Sequence, residues 1–213
     1  MIFRRERVFA ASLALVAWGC GPSHAAELGR PGTWDGDFGF GYALPFGGNS
    51  KNLNGSFGID FAAEHQATDW AAWGLELGNE TSFPGTHGNN SLSIFNLAPT
   101  LKLGETHVSG ASVRWRPYVL LGAGFYSLEQ VGYASSGGGS FPAGASVPAT
   151  ELGISGGAGV DFQVGSNLLA GFGARAHEIF FSGGGFQMVI PSLWISYLFG
   201  GSPRGEIRNH PIQ

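Results

Sequence analysis

The chain has 213 residues, of which 11 are basic and 15 acidic, so its formal net charge is −4. A nucleic-acid-binding protein needs a basic patch, and this balance argues against nucleic acid as a partner. Charged residues make up only 12% of the chain, and 37 residues are glycine. Soluble domains average about 25% charged residues and about 7% glycine, so the composition is unusual for an ordinary soluble domain.

The N-terminus has the three parts of a secretory signal peptide. Arg4, Arg5 and Arg7 precede an apolar run at 8–18, and the small-x-small sequence Ser23-His24-Ala25 follows. The run is too short to cross a bilayer as a helix. We therefore predict that residues 1–25 are a signal peptide, cleaved after Ala25, and that the mature chain is exported.

Cys20 offers an alternative end to this segment. Gly19 before it fits a lipoprotein cysteine, whereas Trp18 is bulky at a position that usually holds a small residue. Cleavage after Ala25 removes Cys20, and the mature chain then has no disulfide or thiol chemistry. Because the signal holds three arginines and one glutamate, 8 of the 11 basic and 14 of the 15 acidic residues remain, a balance of −6.

The rest of the chain alternates apolar residues with small or polar ones. No later stretch reaches the ~18 consecutive apolar residues of a transmembrane helix. A period of two is that of a β-strand, and Pro99 predicts a bulge or a local loss of pairing in one strand. The eight predicted strands span about 37–46, 55–65, 70–78, 91–103, 113–128, 152–164, 168–180 and 187–199.

The sixth stretch shows the alternation most clearly. Leu152 and Ile154 share its apolar face, and Ser155 and Asp161 share its polar face. Eight such strands behind an export signal predict an all-β, eight-stranded antiparallel transmembrane β-barrel over residues 26–199, apolar outside and polar inside. A soluble lipocalin-like barrel, with the apolar phase inside, is the alternative fold. Candidates for the interfacial aromatic belts are Trp34, Tyr42, Trp115, Tyr126 and Tyr197.

The connections fit an outer-membrane barrel, which has short periplasmic turns and longer outer loops. From a periplasmic N-terminus, the long polar links 79–90 and 129–150 fall outside, and the tight turn 165–167 falls on the periplasmic side. The link 104–112 is longer than a periplasmic turn should be. We interpret residues 200–213 as a disordered periplasmic tail.

Two segments resemble known barrels. Residues 116–126, Arg-Pro-Tyr-Val-Leu-Leu-Gly-Ala-Gly-Phe-Tyr, resemble the fifth-strand signature of small outer-membrane barrels of the OmpW and opacity-protein type. Residues 156–162, Gly-Gly-Ala-Gly-Val-Asp-Phe, resemble the following strand of that group. Specific residues match over about 116–181, and many subfamilies share these motifs. The resemblance therefore implies the fold far more than any activity.

The polar phase of the strands supplies the candidate site residues. An unpaired buried charge costs several kcal/mol, so mixed charges in a narrow interior predict internal ion pairs. The functional alternative is a polar path for a small solute, although an eight-stranded barrel is about wide enough only for side chains to fill it. The interior would hold Asp60, Glu64, Glu76, Lys102, Arg114, Arg116, Glu151, Asp161, Arg175 and His177.

An enzymatic interpretation centres on His177. The lipid A deacylase family PagL, also a small outer-membrane barrel, carries a histidine followed two residues later by a serine. Its hydrolysis needs a nucleophile within reach of an imidazole base. Here Ile179 takes that place, the nearest serine is Ser182, and His177 falls on the polar phase. We expect His177 to be an interior partner of an acid and the chain to have no catalytic residues.

No metal or cofactor site is predicted. His65, His87, His107 and His210 are scattered, and no cysteine cluster accompanies them. The glycines at 137–139 lack the lysine of a phosphate-binding loop, so they predict a flexible connection.

Three functions are open. The first is a non-enzymatic outer-membrane barrel, structural or binding through its loops, because the long link 129–150 lies outside and no catalytic set is found. The second is a narrow channel for small or hydrophobic solutes, in keeping with the OmpW-like signature. The third is a PagL-type hydrolase. The expected partners are outer-membrane lipid and lipopolysaccharide around a monomeric barrel, with an extracellular ligand at 129–150.

Overall fold

The computed structural model describes residues 27–47, 53–84, 91–109, 113–131, 149–181 and 184–200. The predicted signal peptide and the tail beyond Gly200 lie outside these residues. In the described segments, no helix has the length and apolarity to cross a bilayer. The strands are β1 (Thr33–Phe46), β2 (Ser56–Gln66), β3 (Ala71–Pro84), β4 (Ser91–Leu103), β5 (His107–Ser109), β6 (Val113–Val131), β7 (Ala149–Gln163), β8 (Leu168–Phe181) and β9 (Gly184–Gly200).

Eight of these strands form one closed antiparallel barrel. Each pairs with the next along the chain, β4 pairs with β6, and β9 returns to pair with β1. The three-residue β5 pairs with β6, where it continues the line of β4. Closure leaves the barrel without an unpaired edge, which a bilayer requires because lipid cannot satisfy backbone groups. The predicted fold is confirmed.

The predicted bounds match the structure for one strand, whereas several other strands are longer than predicted. The bounds of β4 are those predicted. β3 runs on to Pro84, so the first part of the expected loop 79–90 is strand. β6 and β7 likewise reach into the expected loop 129–150, and residues 132–148 lie outside the described part. The expected long link 104–112 contains β5.

The apolar phase of the strands faces outward. On β1, Phe38 and Phe40 are about half exposed, whereas Ala43 on the opposite phase is fully buried. The same contrast holds on β9 between Leu193 and Met188. Such a surface is costly in water and is solvated by lipid in a bilayer. The lipocalin-like alternative would bury this phase and is therefore wrong.

Aromatic side chains group on the outward face near the strand ends. The ring of Trp34 lies 4.7 Å from that of His65 and 5.7 Å from that of Trp73. This is the arrangement of an interfacial belt, in which amphipathic rings sit at headgroup level. Tyr126 does not belong to such a belt, because it shares the inward phase of Arg116 and is fully buried.

Pro99 interrupts one ladder without shifting it. β4 pairs with β6 up to Leu97 and again from Thr100 in the same register, and Ala98 and Pro99 lack a partner on that side. On the other side both residues pair with β3. Proline has no N–H to donate, so the predicted local loss of pairing is confirmed and this ladder has no bulge there.

Candidate functional site

The barrel interior collects most of the sequence-predicted site residues. Strand pairing carries them to similar depths from distant parts of the chain. Arg114 and Glu151 share the inward phase but lie near the strand ends, at opposite ends of the barrel. The other eight face the inside of the barrel: Asp60, Glu64, Glu76, Lys102, Arg116, Asp161, Arg175 and His177.

Arg116 on β6 is the centre of a first ion-pair group. Its guanidinium donates to Asp161 Oδ2 from Nε at 3.2 Å and from Nη2 at 2.8 Å. Nη1 donates to Gln66 Oε1 at 2.5 Å, and Asp35 Oδ2 lies 4.0 Å from Nη2. Arg116 is 2% and Asp161 1% exposed. These charge-assisted hydrogen bonds therefore replace the water that both groups lose on burial.

Lys102 joins this group from β4. Its Nζ lies 2.5 Å from Glu64 Oε2 and 3.6 Å from Asp161 Oδ2, and 4.5 Å from the centre of the Tyr118 ring. Trp194 on β9 donates from Nε1 to Asp161 Oδ1 at 2.9 Å. Asp161 on β7 is thus bound to groups on three other strands, and it fixes their positions across the interior.

A second group lies farther along the barrel. Arg175 on β8 forms an ion pair with Glu76 on β3, and Asn96 donates from Nδ2 to Glu76 Oε1 at 3.2 Å. This pair joins strands on opposite sides of the barrel, because β3 and β8 are not neighbours in the sheet. The ion-pair interpretation thus has specific partners in the structure.

His177 has a different partner from the one expected. Its Nδ1 lies 2.9 Å from the hydroxyl oxygen of Tyr126, so a tyrosine takes the place of the acid that the sequence analysis expected. His177 is 3% exposed and Tyr126 is fully buried. An imidazole at this depth is separated from the outer surface of the barrel, where lipid chains would lie.

An apolar cluster fills the interior toward the end where β1 leads into β2. It packs side chains from five barrel strands, together with Leu53 from the connection between β1 and β2. Water is excluded there, because adjacent inward positions are apolar. The cluster consists of Ala43, Leu53, Leu92, Ile94, Tyr126, Leu128, Ile179, Phe186, Met188 and Ile190.

The N-terminal segment closes the other end. Leu28 is 3% exposed and packs with Leu169 and Leu198, while its backbone N–H donates to Gln163 Oε1 at 3.2 Å. Beside it, Arg114 Nη2 lies 3.2 Å from Glu27 Oε1, with both side chains at least one-third exposed. Arg114 therefore belongs to the rim of the barrel rather than to the interior network.

A small polar cavity remains between these two ends, with a volume of about 50 Å³. A buried water needs roughly 10–15 Å³, so the cavity has room for a few waters. Pockets for small molecules are typically ~300–1,000 Å³. The charged residues that line it are Asp37, Asp60, Glu64, Glu76, Glu80, Lys102 and Arg175.

Three interior acids were not predicted from the sequence. Asp35 and Glu80 are buried and Asp37 lines the cavity, but all three lie at or beyond the predicted strand ends. Extending the alternation backwards from Gly39 would have found Asp37 and Asp35. Carboxylate oxygens of Asp35, Asp37 and Glu64 lie within 4.8 Å of one another. The sequence predicted no metal site, and this group of oxygens is an arrangement that could hold a metal ion.

Inward glycines make room for the large interior rings. A Cβ added at Gly171 would lie 2.2 Å from Trp194 Nε1, and one at Gly159 would lie 2.7 Å from the Tyr118 hydroxyl. Real Cβ atoms do not approach other atoms this closely. The glycines therefore allow Trp194 to reach Asp161 within a narrow barrel.

No protein-family model matches the sequence, and no curated protein matches it. Among solved structures, the chain is similar to the N-terminal β-barrel domain of OprF from Pseudomonas aeruginosa, with 16% identity and a TM-score of 0.50 over 80% of this chain and 99% of that one. It is also similar to Neisserial surface protein A, NspA, with 12% identity and a TM-score of 0.52 over 78% and 95%. The resemblance to small outer-membrane barrels is confirmed as a fold.

Proposed function

We propose that this protein is an outer-membrane barrel that neither conducts solutes nor catalyses a reaction, and that it acts through what it presents at the outer surface. The observation that carries the proposal is the filled interior. The described residues place an apolar cluster at one end, ion pairs in the middle and the Leu28 segment at the other end. The lipid-facing phase supports residence in the bilayer.

The size of the interior cavity argues against the channel alternative. A cavity of about 50 Å³ has space for water but not for a solute, and the apolar cluster separates it from the outer end. An ion passing through that cluster would lose its hydration without compensating ligands. The narrow-channel hypothesis would need these side chains to move apart.

The burial of His177 argues against the deacylase alternative. Acyl chains of lipid A lie along the outside of the barrel, whereas His177 is bonded to Tyr126 in the interior. The residue two positions later, Ile179, is fully buried in the apolar cluster and has no nucleophilic oxygen. Nucleophilic catalysis needs both an oxygen and access to the ester.

The connections at the outer end provide the surface for binding. The links 85–90, 132–148 and 182–183 all join strands at the same end of the barrel as the apolar cluster. An extracellular ligand would meet the 132–148 connection, the longest of these. Outer-membrane lipid and lipopolysaccharide would surround the apolar outer face of a monomeric barrel.

Single-channel recording in planar bilayers tests the filled interior. The wild-type protein should give no discrete current steps, whereas a variant with Phe186→Ala and Met188→Ala shows whether a thinned apolar cluster lets current through. Folding of both proteins is checked by the shift in gel mobility on boiling. Discrete steps from the wild-type barrel would overturn the proposal in favour of the channel.

Cell fractionation tests the proposed location in the outer membrane, and mass spectrometry tests the proposed lack of catalytic activity. The protein should be recovered with outer membranes, and recovery in the soluble periplasmic fraction would contradict the location. Lipid A from cells with and without the protein should carry the same number of acyl chains. Loss of one chain only in the presence of the protein would establish a hydrolase instead.

A further inference from the structure

The interior carries more acids than bases. Among the described inward-facing residues around the cavity and the adjoining ion pairs, seven carboxyl groups face three basic side chains. A buried charge without a partner is costly, so this excess needs compensation. The acids are Asp35, Asp37, Asp60, Glu64, Glu76, Glu80 and Asp161, and the bases are Lys102, Arg116 and Arg175.

The excess is concentrated near the N-terminal end of β1. The carboxyl groups of four residues lie beside two basic side chains there. The acids are Asp35, Asp37, Glu64 and Asp161, and the bases are Lys102 and Arg116. Arg116 is committed to Asp161 by two hydrogen bonds and to Gln66 by a third. Lys102 is committed to Glu64 at 2.5 Å. Asp35 lies 4.0 Å from Arg116 Nη2, at the outer limit of an ion pair, and the described residues show no ion pair to Asp37, so an excess of two negative charges remains.

Three carboxylates of this group lie close together. Oxygens of Asp35, Asp37 and Glu64 lie within 4.8 Å of one another. Asp35 is 6% exposed, and its Oδ1 has no hydrogen-bond partner, nor has Oδ1 of Asp37. A buried polar atom without a partner loses its hydration without compensation. Glu64 keeps its ion pair with Lys102, whereas Asp35 and Asp37 each retain one carboxylate oxygen without a hydrogen-bond partner, and such oxygens at this separation suit a shared cation.

We propose that Asp35, Asp37 and Glu64 bind one divalent cation of the calcium class. Ca²⁺ takes six to eight oxygen ligands at roughly 2.3–2.6 Å in flexible geometry, so it accommodates oxygens at any separation within this bound, whereas Mg²⁺ needs near-ideal octahedral geometry at about 2.0–2.1 Å. Its two positive charges balance the local excess of two. Asp37 and Glu64 also line the cavity, which has room for the waters that such a shell requires. This inference goes beyond the proposed function and does not depend on it.

Equilibrium dialysis with radioactive Ca²⁺ tests the site directly. The folded full chain is prepared in uncharged detergent micelles, because anionic lipid would itself attract the cation, and is first stripped with a chelator. The wild-type protein should bind one Ca²⁺ per chain. Saturating Ca²⁺ should also raise the thermal unfolding midpoint by about 5 °C or more, because a ligand that binds only the folded state stabilises it.

Asp37→Asn and Asp69→Asn form a matched pair of variants. Asp69 is exposed in the link between β2 and β3 at the same end of the barrel. Asp37→Asn should weaken Ca²⁺ binding at least tenfold and, without Ca²⁺, unfold at a higher temperature than the wild type because a repulsion is relieved. Asp69→Asn should behave as the wild type. Glu64→Gln serves as a second site variant if Asp37→Asn does not fold.

Two results would overturn the proposal. The first is no binding to the wild-type protein at about 10 mM Ca²⁺, tenfold above the weakest extracellular calcium sites. The second is equal binding by Asp37→Asn and Asp69→Asn, which would place the cation elsewhere on the molecule. Binding of Mg²⁺ with higher affinity than Ca²⁺ would also contradict the assignment to the calcium class.

Discussion

The two ends of the barrel interior are built on different principles, although the same strands line both. Toward the end where β1 leads into β2, inward positions such as Ile94, Ile179 and Met188 are apolar and fully buried. Toward the N-terminal end, the same phase carries Arg116 and Asp161, equally buried. Apolar burial is non-directional, whereas ion pairs need specific geometry.

This contrast shows which part of the interior tolerates change. An apolar cluster can repack around a side chain of similar volume. A buried ion pair cannot, because the removal of one partner leaves the other charged and without water. The charged half should therefore be the more sensitive half, and substitutions along the two halves measure the difference.

The largest effect is expected from Arg116→Ala. This change leaves Asp161 without its two guanidinium hydrogen bonds, and the breaking of a buried pair typically costs about 3–5 kcal/mol. Urea unfolding in micelles, followed by gel mobility, measures the loss in free energy of unfolding. A loss below about 1 kcal/mol would show that Asp161 is not held as an ion in this barrel.

Met188→Ala tests the apolar half. Met188 is fully buried within the apolar cluster, and truncation of such a side chain costs about 2–5 kcal/mol through lost burial and the cavity it leaves. The control, Met188→Leu, keeps the volume and should cost less than about 1.5 kcal/mol. Equal losses for both variants would mean that this region depends on specific contacts as much as the charged half does.

Gly171→Ala tests how closely the rings fill the charged half. Its Cβ would lie 2.2 Å from Trp194 Nε1, which displaces the indole from Asp161 and should cost about 1–3 kcal/mol. Tryptophan fluorescence should shift to the blue, because a buried indole N–H without its hydrogen bond emits at shorter wavelength. Gly156→Ala is the control, because its Cβ meets nothing closer than 3.8 Å. A shift of the same size in both variants would contradict the close packing.

The smallest effect is expected from Arg114→Ala. Arg114 pairs with Glu27 at the rim, where both side chains are partly exposed, and an exposed ion pair contributes about 0–1 kcal/mol. The comparison with Arg116→Ala separates burial from charge, since both changes remove an arginine from the same phase of β6. A loss as large as that of Arg116→Ala would mean that the rim pair is buried in the folded protein.

The sequence predicted the fold well because a membrane strand must separate lipid from the interior at every second residue. This requirement fixed the phase of all eight barrel strands and the bounds of β4. The prediction missed Asp35, Asp37 and Glu80 because they lie at or beyond the ends of the predicted strands 37–46 and 70–78, whereas β1 and β3 extend farther.

The partners within the interior were less accessible to sequence reasoning. Which acid meets Arg116 depends on how the strands tilt and stagger around the closed barrel, and Gln66 reaches it from β2. The pairing of His177 with Tyr126 likewise follows from the closed geometry of non-adjacent strands. Charge content alone predicted pairs, but not which residues form them.

The segment around Leu28 has a consequence for the order of assembly. Leu28 contacts residues of β7, β8 and β9, while the N–H of Gly32 donates to Gln66 O at the end of β2 at 2.8 Å. These partners come together only when β1 pairs with β9 and closes the barrel. We therefore expect the first described residues of the chain to become ordered last, and protection of their amides from hydrogen exchange to mark completion of the barrel.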